Sequence, residues 1–218
     1  MASPYDLFED DALVQRIKNR LPYLFFLAEK MASRGGKAGM EVGTLREQIL
    51  IALFIHKFGR ESVELGGITE QHDVRVLGYP ISIKTAKSPS SRPSLKVWWG
   101  SDNEKILDFK KRYYPNSILM VAVINWGATG PLALVPKEVQ EEVFEDVTPD
   151  GYLRARVGTN NRGVEIPGRV VARLLEDPRT RRMAIYWQAP YLKDVEWIPY
   201  LRWLEYWEMQ EDPPSSLT

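Results

Sequence analysis

The sequence predicts an α/β domain with a central mixed sheet flanked by helices. Three segments carry that expectation. The apolar run Ile49 to Phe58 recurs with helical spacing, and HDVRVLGYPISIKTAK at 72–87 alternates polar and apolar residues about a Gly-Tyr-Pro turn. SILMVAVINW at 117–126 is almost wholly apolar, as a strand buried on both faces must be. At 218 residues the chain suffices for one domain with a large core, and no linker divides it.

Along the chain, 11–31 reads as helix with Pro22 threatening a break in its middle, so two short helices are an alternative. SRGGKAGMEVG at 33–43 holds four glycines and reads as a loop. Thr44 then caps a helix ended by Gly59, with Glu47 three residues on in capping-box position. Glu64 to Ile68 is a candidate strand. Asp73 to Leu77 forms the first strand of the hairpin, Gly78 to Pro80 its turn, and Ile81 to Lys84 its return. Ser88 to Pro93 is a loop. Ser101 with Glu104 suggests a second capping box, with a helix ending near Tyr114. Beyond the buried strand, 127–130 turn the chain, Leu132 to Val135 extend, and Pro136 opens a helix through Phe144. Thereafter Gly151 to Val157 reads as strand, 159–163 as loop, Val170 to Leu175 as short helix and Arg182 to Tyr186 as strand. The end is aromatic, and Trp203 and Trp207 fall on one helical face, suited to packing on the body or on a second subunit.

Composition narrows the chemistry. Hydrophobic residues at 44% and charged residues at 27% exclude bulk disorder. No apolar run is long enough for a membrane span and the start is acidic where a signal peptide is basic, so the chain is expected in the cytoplasm. Without cysteine there is no disulfide, thiolate catalysis or cysteine zinc site. His56 and His72 are the only histidines, so a metal must be held mainly by oxygen, which favours magnesium or a similar hard cation. The net charge is zero, yet 84–113 carry eight basic side chains against three acidic ones, 150–182 carry eight arginines against four acids, and 194–218 carry one arginine against six acids. A basic face opposite an acidic one is compatible with that pattern, and so is an evenly solvated surface.

Hydrolysis of a phosphodiester needs a hard metal to neutralise charge on the oxygens and an oriented, partly deprotonated water. Asp73 on one hairpin strand and Lys84 on its partner can face one point across the turn. Glu47 on the preceding helix can supply a second carboxylate, with Glu41 and Glu64 as rivals, and the main-chain carbonyl of Ile83 is a further oxygen donor. Bland readings stand beside these: Asp73 as a strand-end hydrogen bonder, Lys84 as an edge lysine, Glu47 as a helix cap.

With TLREQILIALFIHKFG, HDVRVLGYPISIKTAK, SDNEKILDFKKRYY, SILMVAVINW and PKEVQEEVF in this order over 44–144, the chain resembles the PD-(D/E)xK nuclease superfamily, its type II restriction endonucleases in particular. The resemblance implies a restriction-endonuclease-like core, with Glu47 as helix glutamate, Asp73 as central metal-binding aspartate and Lys84 as catalytic lysine. Ser82 stands where the family usually has its second acid; several members carry serine there and recruit a helix carboxylate. The resemblance further implies Mg2+, double-stranded DNA as substrate, 5'-phosphate and 3'-hydroxyl ends, and a partner DNA methyltransferase. One nuclease domain over 1–218 is expected, with its catalytic core at about 44–144 and recognition and dimerisation elements in 1–43 and 145–218.

For DNA contact, Gln71, His72 and Ser82 lie beside the catalytic positions, and Thr85, Lys87, Ser88, Arg92 and Lys96 follow the lysine and suit backbone contacts. Asn160, Asn161 and Arg162, flanked by Arg154, Arg156 and Arg169, have the chemistry that reads base edges, and Asn125 to Thr129 form another polar tip. Met40, in the predicted glycine-rich loop, suits a minor-groove wedge, an arrangement that resembles a few restriction enzymes; packing on the core is the plainer reading. Cutting both strands of a symmetric sequence calls for two sites about a twofold axis, hence a homodimer. A structure-selective repair nuclease and a non-catalytic DNA-binding protein are the alternatives.

Overall fold

The computed structural model describes residues 2–32, 38–67, 71–88, 93–100, 102–155 and 163–191, with six isolated positions at 193, 198, 200, 201, 204 and 205. Its helices are α1 (Asp11–Ala32), α2 (Ala38–Phe58), α3 (Asn103–Arg112), α4 (Lys137–Tyr152) and α5 (Gly168–Glu176). Its strands are β1 (Val63–Leu65), β2 (Val74–Val76), β3 (Tyr79–Lys87), β4 (Leu95–Trp98), β5 (Ile118–Ile124), β6 (Thr129–Val135), β7 (Arg154–Ala155), β8 (Val164–Ile166) and β9 (Arg181–Tyr186). A six-stranded sheet runs β1-β2-β3-β5-β6-β9, and a three-stranded sheet runs β4-β8-β7. Only the β3/β5 pair of the large sheet is parallel. That is where a long crossover, β4 and α3, lies between the strands, as parallel pairing requires. The mixed α/β sheet expected from the sequence is present.

The reason β5 reads as one apolar block is that each of its faces meets a separate core. Ile118, Met120, Ala122 and Ile124 pack with α1 and α2, while Leu119, Val121 and Val123 pack with α3, α4, α5 and the small sheet. Each large apolar side chain fully buried in these layers contributes about 1.5–3 kcal/mol. The large sheet takes its last strand from Arg181–Tyr186, and α1 lies against that strand. Trp187 then closes the first core, stacked on Phe25 at 5.4 Å between ring centroids and edge-on to Trp126 at 6.0 Å.

Several elements differ from expectation. Helix α1 runs unbroken through buried Pro22, because its stripe Leu13, Ile17, Leu21, Phe25 and Ala28 is sealed in the core and offsets the missing hydrogen bond. Helix α2 begins at Ala38, not Thr44, so part of the predicted loop is helix. The cap of α3 is Asp102, whose side chain accepts from the amides of Glu104 and Lys105; Ser101 lies outside the described residues. The helix after Pro136 passes Phe144 and reaches Tyr152 across a kink at Thr148, before Pro149, so that of the described residues in the expected 151–157 strand only Arg154–Ala155 are strand; 156 and 157 lie outside the described residues. Strands β4 and β8, three or four residues each, escaped the sequence reading. Trp203 and Trp207 lie outside the described residues. Among the described residues no helix is long and apolar enough to cross a membrane.

Candidate active site

The hairpin places Asp73. Leu77 (φ 52°) and Gly78 (φ 82°) make its two-residue turn, so Tyr79 and Pro80 open β3 instead of turning. The register pairs Val74 with Ile81 and leaves Asp73 immediately before β2, where the ladder ends. Its amide donates to the Ile81 carbonyl at 3.0 Å, and its own carbonyl accepts from the Gly66 amide at 3.0 Å. With the backbone so held, Asp73 Oδ2 accepts from Lys84 Nζ at 3.0 Å, Ser82 Oγ at 3.3 Å and the Ile83 amide at 2.5 Å. Ser82 and Lys84, two apart, leave β3 on the same side. Ser82 is buried, and the Asp73 and Lys84 side chains are 23% and 21% exposed.

Glu47 comes from α2, the helix that packs on the β2-β3 hairpin. It lies more than two turns inside α2, so the helix-cap explanation of this residue no longer applies. Leu50 and Phe54, one and two turns on, are fully buried, and the helix packs on β3. Among the described residues no hydrogen bond reaches the Glu47 carboxyl. Burial raises its proton affinity, the negative charge of Asp73 raises it further, and the Lys84 ammonium partly opposes both. Two carboxylates and one ammonium are thus near enough to feel one another's charge. No three acidic or histidine side chains gather as ligands among the described residues. Glu64, a rival, is 76% exposed and turned towards Arg75, and Glu41 is exposed.

The other candidate residues are scattered more widely. Gln71 is exposed and accepts from Asn116 Nδ2 at 2.9 Å; His72 is half-buried. Thr85 pairs in register with Ala122, and Lys87 bonds Glu29 at 3.3 Å. Lys96 lies over the Trp99 ring at 3.6 Å from its centroid. Met40 is within α2 instead of a loop, and its side chain falls outside the described residues, as do Arg92, Arg156, Asn160, Asn161 and Arg162. Many charges counted as a basic face are spent on ion pairs: Arg154 with Glu165, Arg173 with Asp146, Arg179 with Glu142 and Asp177, and Lys110 with Asp150.

A cleft of about 360 Å³ opens beside Asp73, Ser82 and Lys84, walled by Trp98, Phe109, Tyr113 and Tyr114. The small sheet thus reaches the site through Trp98, which the sequence reading missed. Its one available signal was the alternation in 95–98. Gln140, fully buried, braces the cleft floor by donating to the Ser117 carbonyl at 2.9 Å.

A mixed sheet flanked by helices, with an aspartate and a lysine joined across a hairpin and a glutamate on the helix packed against it, agrees with a restriction-endonuclease-like fold. One solved structure, a restriction endonuclease in complex with substrate DNA, superposes with a TM-score of 0.82 at 38% identity, over 93% of this chain and 97% of that one. The family model for restriction endonuclease ThaI matches residues 7–209, and the chain belongs to that family. Fold and family together make it a sequence-specific restriction endonuclease of type II. No curated protein sequence matches the chain.

Proposed function

We propose that Glu47, Asp73 and Lys84 form the catalytic centre and that its cofactor is Mg2+. The observation that carries this reading is the 3.0 Å bond from Lys84 Nζ to Asp73 across the hairpin on which α2, the helix of Glu47, packs. Glu47 and Asp73 would hold the ion, with the carbonyl of Ile83 as third oxygen donor, since it leaves the strand on the same side as the amide that Asp73 engages. When bound, the ion supplies charge neutralisation at the phosphate. Lys84, steered by its 3.0 Å bond to Asp73, orients the attacking water and stabilises negative charge at phosphorus. Ser82 takes the place of the usual acid by tying down Asp73.

The substrate is double-stranded DNA, cut by a homodimer whose two centres address the two strands. Thr85, Lys87, Arg92 and Lys96 serve its backbone, Gln71 and His72 the scissile phosphate, Asn160, Asn161 and Arg162 the base edges, and Met40 the minor groove. A methyltransferase of matching specificity protects the host. The test is incubation of long duplex DNA with the protein and Mg2+, beside Asp73→Asn and a chelator control. Discrete fragments from the native protein alone are expected; cleavage that survives Asp73→Asn overturns the assignment.

A further inference from the structure

A second charged cluster joins α1, α2 and β3. Glu29, on α1, accepts from Arg46 Nη2 at 2.5 Å and Trp126 Nε1 at 2.9 Å through one oxygen, and from Lys87 Nζ at 3.3 Å through the other. Arg46 is 6% exposed, its guanidinium carbon sits 5.6 Å from the Phe25 ring centroid, and its Nε has no hydrogen-bond partner among the described residues. As a device for stability alone this is a poor arrangement, since a buried ion pair is commonly matched or exceeded by apolar side chains of similar volume.

Its placement suggests what it does. Arg46 immediately precedes Glu47 on α2, so seating Arg46 fixes the rotation of the helix and with it the direction in which the Cα–Cβ bond of Glu47 leaves, about 100° around. Lys87 follows Lys84 by three residues on β3. One carboxylate thereby joins the helix that carries Glu47 to the strand that carries Lys84. We propose that Glu29, acting through Arg46 and Lys87, is a positioning residue that sets the separation of Glu47 from Asp73 and Lys84 and so the affinity of the metal site. This rests on the metal reading above.

The experiment uses Mn2+ as probe, its binding followed by the electron paramagnetic resonance of the free ion, with Tm and cleavage kinetics alongside. The proteins are wild type, Glu29→Gln, the apolar pair Glu29→Leu with Arg46→Met, and Asp73→Asn. Both Glu29 proteins are expected to bind Mn2+ about tenfold more weakly, the size of loss seen when a group that orients metal ligands is removed. The apolar pair should hold a Tm close to wild type, and excess Mn2+ should return kcat at an unchanged KM for DNA. Wild-type Mn2+ affinity in the apolar pair overturns the positioning role. A raised KM with unchanged Mn2+ affinity does the same, assigning Glu29 to a DNA contact through Lys87. Mn2+ binding that Asp73→Asn leaves intact instead overturns the metal reading, and the proposal with it.

Discussion

Two clusters in this chain have the same formal composition, two carboxylates and one base, and opposite electrostatics. Arg179 meets Glu142 through Nη1 and Nη2 at 2.7 and 2.6 Å, and Asp177 through Nε and Nη2 at 3.0 and 2.9 Å. Its planar fork matches both carboxylates at once, so the proton affinities of Glu142 and Asp177 fall and that of Arg179 rises, chiefly through those hydrogen bonds. Lys84 is a point charge on a flexible stem. It reaches Asp73 at 3.0 Å, and the neighbouring Glu47 is left with its proton affinity raised. The first cluster is finished and joins α4, the end of α5 and the approach to β9. In the second, burial first and then the charge of Asp73 raise the proton affinity of Glu47 against the pull of Lys84, and under the proposed reading that is where a cation would sit.

The sharpest way to break the comparison is to remove the base from each. Lys84→Ala is expected to lower kcat by about 10³-fold, the scale of losing one preorganised group that stabilises transition-state charge. Arg179→Met should leave kcat per folded molecule unchanged and lower Tm slightly at low salt, an effect that added salt shrinks. Single-turnover cleavage and thermal melts of both variants decide it; equal losses of kcat would show that the two clusters do not differ in kind.

A smaller effect runs the other way. Burial and Asp73 make ionised Glu47 a cost to the metal-free fold. Glu47→Gln should therefore raise Tm by about 2 °C in chelator at neutral pH, allowing for solvent screening, while abolishing Mg2+-dependent cleavage. A lower Tm would mean that Glu47 is a structural group after all.

How far the sequence revealed this centre depends on the reach of each signal. The hairpin was legible because Val74, Val76, Ile81 and Ile83 alternate and a Gly marks the turn, and with it came Asp73, Ser82 and Lys84. β5 was legible because both its faces are covered. Helix α2 was read one segment too short: Gly39 and Gly43 each cost a helix about 1 kcal/mol and imitate a loop, whereas tertiary packing of Leu50 and Phe54 carries the helix through them. That misreading hid the best argument for Glu47, its freedom from any capping duty. The β4-β8-β7 sheet left too short a pattern to see, and the Glu29 cluster joins residues 17, 58 and 97 positions apart, a link no local periodicity records. Gly43 offers a check on this account. Among the described residues a Cβ there meets no atom within 4 Å, so Gly43→Ala should stabilise the fold by about 0.5–1 kcal/mol in denaturant titration. Destabilisation would place the start of α2 nearer Thr44.

The smallest effect expected is one of sign, and it compares the two clusters within a single titration. Glu142 and Asp177 hold protons more weakly in the folded chain than in the unfolded one. Their contribution is therefore complete above the ordinary carboxylate range and is lost as pH falls through their lowered values. Glu47 holds its proton more strongly when folded, so its cost is complete at neutral pH and is relieved as pH falls through its raised value. In chelator, the Tm gap between wild type and Glu47→Gln should begin to close in mild acid. The gap between wild type and Arg179→Met should persist there and close only in strong acid. Two gaps that closed together would mean that Glu47 is as fully neutralised as the carboxylates of the clamp, and the proposed cation would have nothing to complete.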